Sequence, residues 1–443
     1  MRKLFERIKN LKNLEYILLS IILIFAFLVR LYKIGSPIAD WHSWRQADTA
    51  SVSRTYLERG INLFYPRYHD VSSIQTGIFN PQGYRFVEFP VFNAVHSFLA
   101  KSFPTLSLEI WGRLTSVFSA LASTVFIFLI AKKLLGKRAA LLAASFFAFI
   151  PYNIYFTRII LPEPMATTFA LASLWLFIKF LGSERFVYLC LSGAAFGLSM
   201  LIKPFTFFYI LPFIYLAHKK YGLKTIYKTP RLLIRFLVFV NIAFVPFIIW
   251  RAWINQYPQG IPFFSWAFNG DGIRFRPSFW RWIFGERLGH LILGGWGLIV
   301  FAFGLLGKAR GTKFVQIFLL GMVLYVVTFA TASVRHDYYQ IFVIPAVSLT
   351  LGLGALNMWN PKGLSRWFSR FLLVFSLLVM FLTSAIQIRE FYKVNKPEIV
   401  EAGSAVDRLT PKDAWVIAPY NGDTAFLYQT KRWGWPAIDD SID

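Results

Sequence analysis

The sequence predicts an all-α polytopic membrane protein with about eleven crossings, outer juxtamembrane helices and a small α/β tail. Three observations predict it. Of 443 residues, 56% are hydrophobic and 19% aromatic, with a mean hydropathy of +0.51; a soluble domain of that balance would leave too much apolar surface in water. The apolar residues run in long blocks, such as Tyr16 to Val29 and Phe371 to Ala385, rather than in alternating or amphipathic stripes. The basic residues, which bring the net charge to +25, gather in short loops between the blocks, as in cytoplasmic loops of membrane proteins. That placement accounts for the charge without nucleic acid as a partner. The lone cysteine, Cys190, lies in an apolar run and implies neither a disulfide nor a cysteine metal cluster.

Arg2, Lys3, Arg7, Lys9 and Lys12 put the N-terminus in the cytoplasm. The first apolar run is long, and no small-x-small cleavage site follows at Leu31 to Pro37, so it reads as a retained helix. Spans are expected at 14–33, 109–131, 138–156, 163–181, 186–202, 204–218, 231–250, 290–306, 313–332, 338–357 and 367–388. The loops Lys132–Arg138, His218–Arg235, Lys308–Lys313 and Lys362–Arg370 are basic and belong inside. The odd number of crossings then puts the C-terminus outside the plasma membrane. Phe89 to Phe103 is apolar but short and carries Asn93, His96 and Lys101. Counting it as a span would turn Lys132–Arg138 outward, so it reads as a helix lying on the outer surface.

The chain divides into a membrane domain, 1–390, with outer loops at 34–88 and 251–289, and an extracytoplasmic segment, 391–443. The tail's "WVIAPYNGDTAFLYQT" has strand-like alternation around the turn signal Asn421-Gly422. It reads as the start of a small α/β unit that the chain ends before closing.

This topology gathers the unusual charges on one face. Asp40, His42, Arg45 and Asp48 lie in the first outer loop, with Glu88 at its end. Arg158 and Glu163 belong to "RIILPEP", Lys203 sits between two spans, and Arg335, His336 and Asp337 precede "YYQIFVIP". Ionisable groups at the edge of membrane helices are costly unless paired or facing a cavity, so their convergence points to a shared polar cavity. Plainer roles stand beside this one. Asp48 pairs with Arg45 or caps a helix; Glu163 between two prolines complements a helix dipole; Lys203 snorkels; His336 and its tyrosines belong to an interfacial belt. His42, His69, Glu88 and His336 lack the tight spacing of a metal site.

The motifs resemble a known family. "WRQADTASVSRTYLERGINLFYP" after a first membrane helix is similar to the first extracytoplasmic loop of glycosyltransferase family 39. These are GT-C enzymes that use polyprenyl-phosphate sugars and include protein O-mannosyltransferases and the aminoarabinose transferase acting on lipid A. "RFVEFPVF", "TRIILPEPMATTFAL" and "HDYYQIFVIPAVSL" resemble later family motifs, in the same order. The resemblance covers most of residues 10–390. It implies a GT-C-like fold and inverting transfer of a sugar from a lipid phosphate at the outer face, with Asp48 at the position of the family's acidic residue that acts as base or positions the acceptor. Two departures bear on the acceptor: Asp48-Thr49 stands where the family often has Asp-Glu, and Glu88 where the lipid A branch commonly has Lys.

For that chemistry a carboxylate takes the acceptor proton while cations hold the leaving phosphate. Asp48 is the expected base. Arg158 and Lys203, with Arg45 and His336 in reserve, are the expected phosphate ligands. Glu88, Glu163, Trp44, Tyr338 and Tyr339 are the expected sugar or acceptor contacts, and Trp41 and Tyr65 further stacking surfaces. A divalent metal ion is a possible cofactor under this resemblance, though no metal ligand is assigned; the donor and membrane lipid are the expected partners. The competing class is a transporter or flippase, for which mid-span charges and repeated halves would speak; the sequence has neither.

Overall fold

Each expected span is helical in the computed structural model, which describes residues 13–438, but several are interrupted. The basic cluster Arg2–Lys12 lies outside the described residues. The span expected at 138–156 shows how an interruption arises. Helix Lys137–Phe149 stops at Ile150, and a short helix Pro151–Phe156 follows. Pro151 has no N–H, so the helix loses a donor there. The freed carbonyls are taken by side chains: Asn153 Nδ2 donates to Phe147 O (2.6 Å) and buried Arg30 Nη1 to Ala148 O (2.9 Å). Arg30, in the last turn of helix Leu14–Arg30, also donates to Thr157 Oγ1 (2.9 Å), pinning the first helix to the turn that carries Arg158.

Eleven uniform crossings is therefore too regular a picture. Among the described residues four helices are long and apolar enough to cross a membrane alone: Leu108–Leu134, Glu163–Ser183, Pro230–Ile254 and the run that starts at Arg366. Pro277–Ile292 and Gly297–Leu306 qualify together but are bent by 115°. Phe186–Ile202, Thr312–Thr328 and Ile344–Trp359 are apolar and shorter. A hydropathy window averages over residues and does not register a break within it. Close packing compensates for length. Gly304 and Gly354 face carbonyls of Thr350 and Val300 so closely that a Cβ on either would overlap them, the small-residue contact expected between membrane helices.

The loop expected outside, 34–88, holds one helix, Ser43–Arg59. It is polar along its length, yet Arg45 to Tyr56 are all buried. Burying polar side chains is unfavourable unless each finds a partner, so this helix is held by its contacts rather than by an apolar face. Helix Val91–Ser102, the expected outer helix, packs on it through Asn93 Nδ2, which donates to Thr49 O (2.7 Å).

The tail corrects one expectation. "WVIAPYNGDTAFLYQT" is a strand followed by a helix, not two strands around a turn. Strands Trp415–Ile417 and Trp433–Trp435 pair in parallel across helix Thr424–Thr430. Asp423 accepts from Ala425 N (2.7 Å) and starts that helix. Nor does the tail stand apart: helix Thr424–Thr430 packs on Ser43–Arg59, and Gly434 bonds to His69 and Val71 in the first outer loop.

Candidate functional site

The outer-loop helix, the Lys203 turn, the end of helix Pro230–Ile254 and the "HDYY" segment enclose a cavity of about 640 Å³. Its lining interleaves the rings of Phe205, Phe247, Phe263, Phe264, Phe268 and Phe329 with Trp44, Arg45, Arg85, Lys203, Arg251, Tyr338 and Tyr339; Lys203 lies over the Phe205 ring and Arg251 over that of Phe264.

Four expected site residues form one buried ion cluster. Arg45 Nη2 donates to Glu88 Oε1 and lies 3.6 Å from Glu163 Oε1. Lys203 Nζ is 2.8 Å from Glu88 Oε1 and 3.1 Å from Glu163 Oε1. Two cations thus face two carboxylates. Burial pushes the Glu88 carboxyl up, but the charges of Arg45 and Lys203 outweigh it and hold Glu88 below the usual carboxylate range. Glu163 is fully buried, and neither of its oxygens accepts a hydrogen bond among the described residues; its tie to the cations is purely ionic.

Asp48 lies beside this cluster with a different set of partners. Its Oδ2 accepts from Arg85 Nη2 (2.5 Å) and Gln75 Nε2 (3.4 Å), and its Oδ1 from Thr424 Oγ1 (2.7 Å). Arg85 and Gln75 line the main cavity, and Asp48 shares a narrow crevice with Arg45, Arg85 and Glu88. The pairing of Arg45 with Asp48 weighed from the sequence is replaced by Arg85. Arg85 and Thr424 were not singled out: Arg85 sits inside the quoted "RFVEFP", three residues before Glu88, and nothing in the sequence ties Thr424 to a loop 376 positions away.

Two expected phosphate ligands need correction. Arg158 is buried away from the cavity: its Nη2 donates to Lys33 O (2.5 Å), its Nη1 lies 3.4 Å from Asp40 Oδ2, and its guanidinium sits over the Tyr392 ring. The "RIILPEP" turn folds inward onto the end of the first helix, which takes Arg158 with it. His336 is near the cavity, ringed by Trp44, Trp266 and Tyr338, but burial drives it down to about 4, so it is a neutral imidazole at neutral pH and supplies no charge. Arg251, noted in the sequence only as the start of an outer loop, fills the vacancy. Its guanidinium lines the cavity, lies over Phe264 at 5.3 Å, and has no hydrogen bond or ion pair among the described residues.

The "HDYY" segment is anchored to the first loop. Asp337 accepts from Trp41 Nε1 (3.0 Å) and His42 Nε2 (2.5 Å), and Tyr152 OH donates to Asp337 O (2.6 Å). These bonds set Trp44 opposite Tyr338 and Tyr339. Among the described residues no group of three or more His, Cys, Asp or Glu could hold a metal ion. Glu88 and Glu163 already face Arg45 and Lys203, whose charges stand where a divalent cation would bind, so this donor set does not fit one. Tyr65 lies apart, against Trp253 and Tyr257.

Residues 90–250 match the family model of dolichyl-phosphate-mannose-protein mannosyltransferases. ArnT from Cupriavidus metallidurans bound to undecaprenyl phosphate has a similar structure, with a TM-score of 0.62 and 13% identity over 94% of this chain and 85% of that one. The chain has a GT-C-like fold. The apo state of the same ArnT matches at TM-score 0.63, also at 13% identity, covering 94% of this chain and 84% of that one. The oligosaccharyltransferase of Archaeoglobus fulgidus, in complex with Zn and sulfate, matches at 0.57 with 11% identity over 95% of this chain and 62% of that one. No curated protein matches. The matched family stretch contains Glu163 and Lys203 but neither Asp48 nor the tail.

Proposed function

We propose that this protein is a glycosyltransferase that moves a sugar from a polyprenyl-phosphate donor to a hydroxyl acceptor at the outer face of the membrane, inverting the anomeric carbon. The cavity carries the reading: its phenyl rings suit a prenyl chain, and Arg251, Lys203 and Arg45 among them suit a phosphate. The undecaprenyl phosphate bound by the ArnT relative supports it.

In the transfer, the acceptor oxygen attacks C1 from the face opposite the phosphate, and the C1–O bond breaks with its electrons leaving on the lipid phosphate. Asp48 takes the acceptor proton, the acceptor hydroxyl replacing the long Gln75 contact on Oδ2. Arg251 meets the leaving phosphate with an unshared charge, and Lys203 turns toward it from Glu163. Held in a cavity poor in water, such charges stabilise a developing phosphate far more than they would in solvent. Glu88 and Glu163 keep Arg45 and Lys203 in place while the donor is absent. Trp44, Tyr338 and Tyr339 face the sugar.

The test offers a panel of polyprenyl-phosphate sugars to the protein in nanodiscs and follows released polyprenyl phosphate, comparing wild type with Asp48→Asn. Release that depends on Asp48 supports the proposal. No release, with donor crossing vesicle membranes instead, would make the protein a transporter.

A further inference from the structure

We infer that the C-terminal tail completes the catalytic site, with Thr424 as a positioning residue that fixes the orientation of the Asp48 carboxylate. The inference rests on the transferase reading for its meaning, but its geometry stands alone. Thr424 Oγ1 donates to Asp48 Oδ1 at 2.7 Å, and both residues are buried. Arg85 holds the other oxygen. A carboxylate gripped at both oxygens from different elements has one orientation, and a base must meet its proton within hydrogen-bond reach and at a fixed angle.

The tail is built to deliver this one hydroxyl. Asp423 caps the short helix at Ala425 N, which fixes Thr424 in its first turn. Tyr428 closes the other end: its OH donates to Glu109 Oε1 (2.6 Å), and its carbonyl accepts from Arg54 Nη1 (2.7 Å), whose guanidinium also covers the Tyr428 ring at 3.7 Å. Arg54 belongs to the same helix as Asp48, six residues further on. Gln429 Nε2 adds a bond to Ile38 O (2.9 Å). Thr424 is thus held against Asp48 from both sides by bonds to the membrane domain. Thr424 Oγ1 has no equally short alternative: its other acceptor, Trp44 O, is 3.4 Å away.

The test compares Thr424→Val, which keeps the shape and removes the hydroxyl, with Thr424→Ser, which keeps the hydroxyl. The first readout needs no turnover. The Asp48 carboxylate stretch is isolated by infrared difference against Asp48→Asn; it should shift in Thr424→Val and return in Thr424→Ser. The second readout is kinetic. Thr424→Val should lower kcat about tenfold or more with the donor KM unchanged, because the base is then no longer held in its one orientation. Thr424→Ser should restore kcat. An unmoved stretch in Thr424→Val, or equal damage by both variants, would overturn the inference and leave Thr424 a packing residue. A shifted stretch in a protein that releases no polyprenyl phosphate from any donor would sustain the clamp and reject the transferase reading.

Discussion

Two groups of charges sit side by side in this protein and are held in opposite ways. Arg45, Lys203, Glu88 and Glu163 form a balanced square in which both cations are shared between both acids. Asp48 instead has one cation, Arg85, and one hydroxyl, Thr424, each on its own oxygen. The square holds itself together with no directed bond to Glu163. The Asp48 site is directional and is assembled from the outer loop and the tail. The difference suggests a division of labour: one group keeps a charged cavity folded within apolar helices, and the other aims a single carboxylate. Arg251 belongs to neither group; its guanidinium lines the cavity with no hydrogen bond or ion pair among the described residues.

Breaking the directional group should show first in activity, although it too leaves a buried cation, Arg85, without its acid. Asp48→Asn should reduce transfer by about 10²- to 10⁴-fold, the usual contribution of a general base, while donor binding in a filter or fluorescence assay stays within a few-fold. If donor binding collapsed as well, Asp48 would belong to the framework. Breaking the square should do the reverse. Glu163→Gln leaves two buried cations facing one acid, and one-sided loss of a buried pair typically destabilises by about 3–5 kcal/mol. Thermal unfolding in detergent should show this as a large drop in Tm; an unchanged Tm would mean that water already relieves the cluster.

Smaller effects sharpen the contrast. Arg251→Gln should weaken binding of polyprenyl phosphate about tenfold, roughly the worth of one charge-assisted contact, with Tm unchanged; equal affinity in wild type and variant would remove Arg251 from the donor site. Asp423 tests the tail. Burial raises its carboxyl to about 6, above the unfolded value near 4. The fold therefore binds its proton more tightly than the unfolded chain does, and this group's contribution to stability falls as pH rises from about 4 to 6. Asp423→Asn, which can still cap the helix, should raise stability above pH 6 by roughly 1 kcal/mol and flatten that pH dependence. A variant curve parallel to wild type across this window would contradict the assignment. Smallest of all, His336→Gln should alter donor binding by less than about threefold between pH 5 and 8, because an imidazole titrating near 4 carries no charge there.

The sequence made the square legible and the clamp illegible, for a physical reason. Glu163 and Lys203 sit at the ends of apolar helices, where charges stand out, and Arg45 and Glu88 lie in the loop that follows the first apolar run. Arg158 stands out in the same way yet serves the scaffold, since its partners, the Lys33 carbonyl and Asp40, lie 125 and 118 positions away in the chain. Thr424 carries no charge and lies in a stretch whose alternation imitates a strand, so neither its helix nor its target could be read from spacing. The spans were legible as composition, and their breaks were not, because breaks depend on single prolines and on the side chains that collect the freed carbonyls.

The most direct measurement of the central claim is a cryo-electron microscopy structure of the protein in nanodiscs with undecaprenyl phosphate. The account predicts the phosphate within hydrogen-bond reach of Arg251 and Lys203, the prenyl chain along Phe263, Phe264 and Phe268, and Asp48 on the opposite side of the space left for the sugar. Phosphate density outside this cavity, with Arg251 free and the square unchanged, would contradict it.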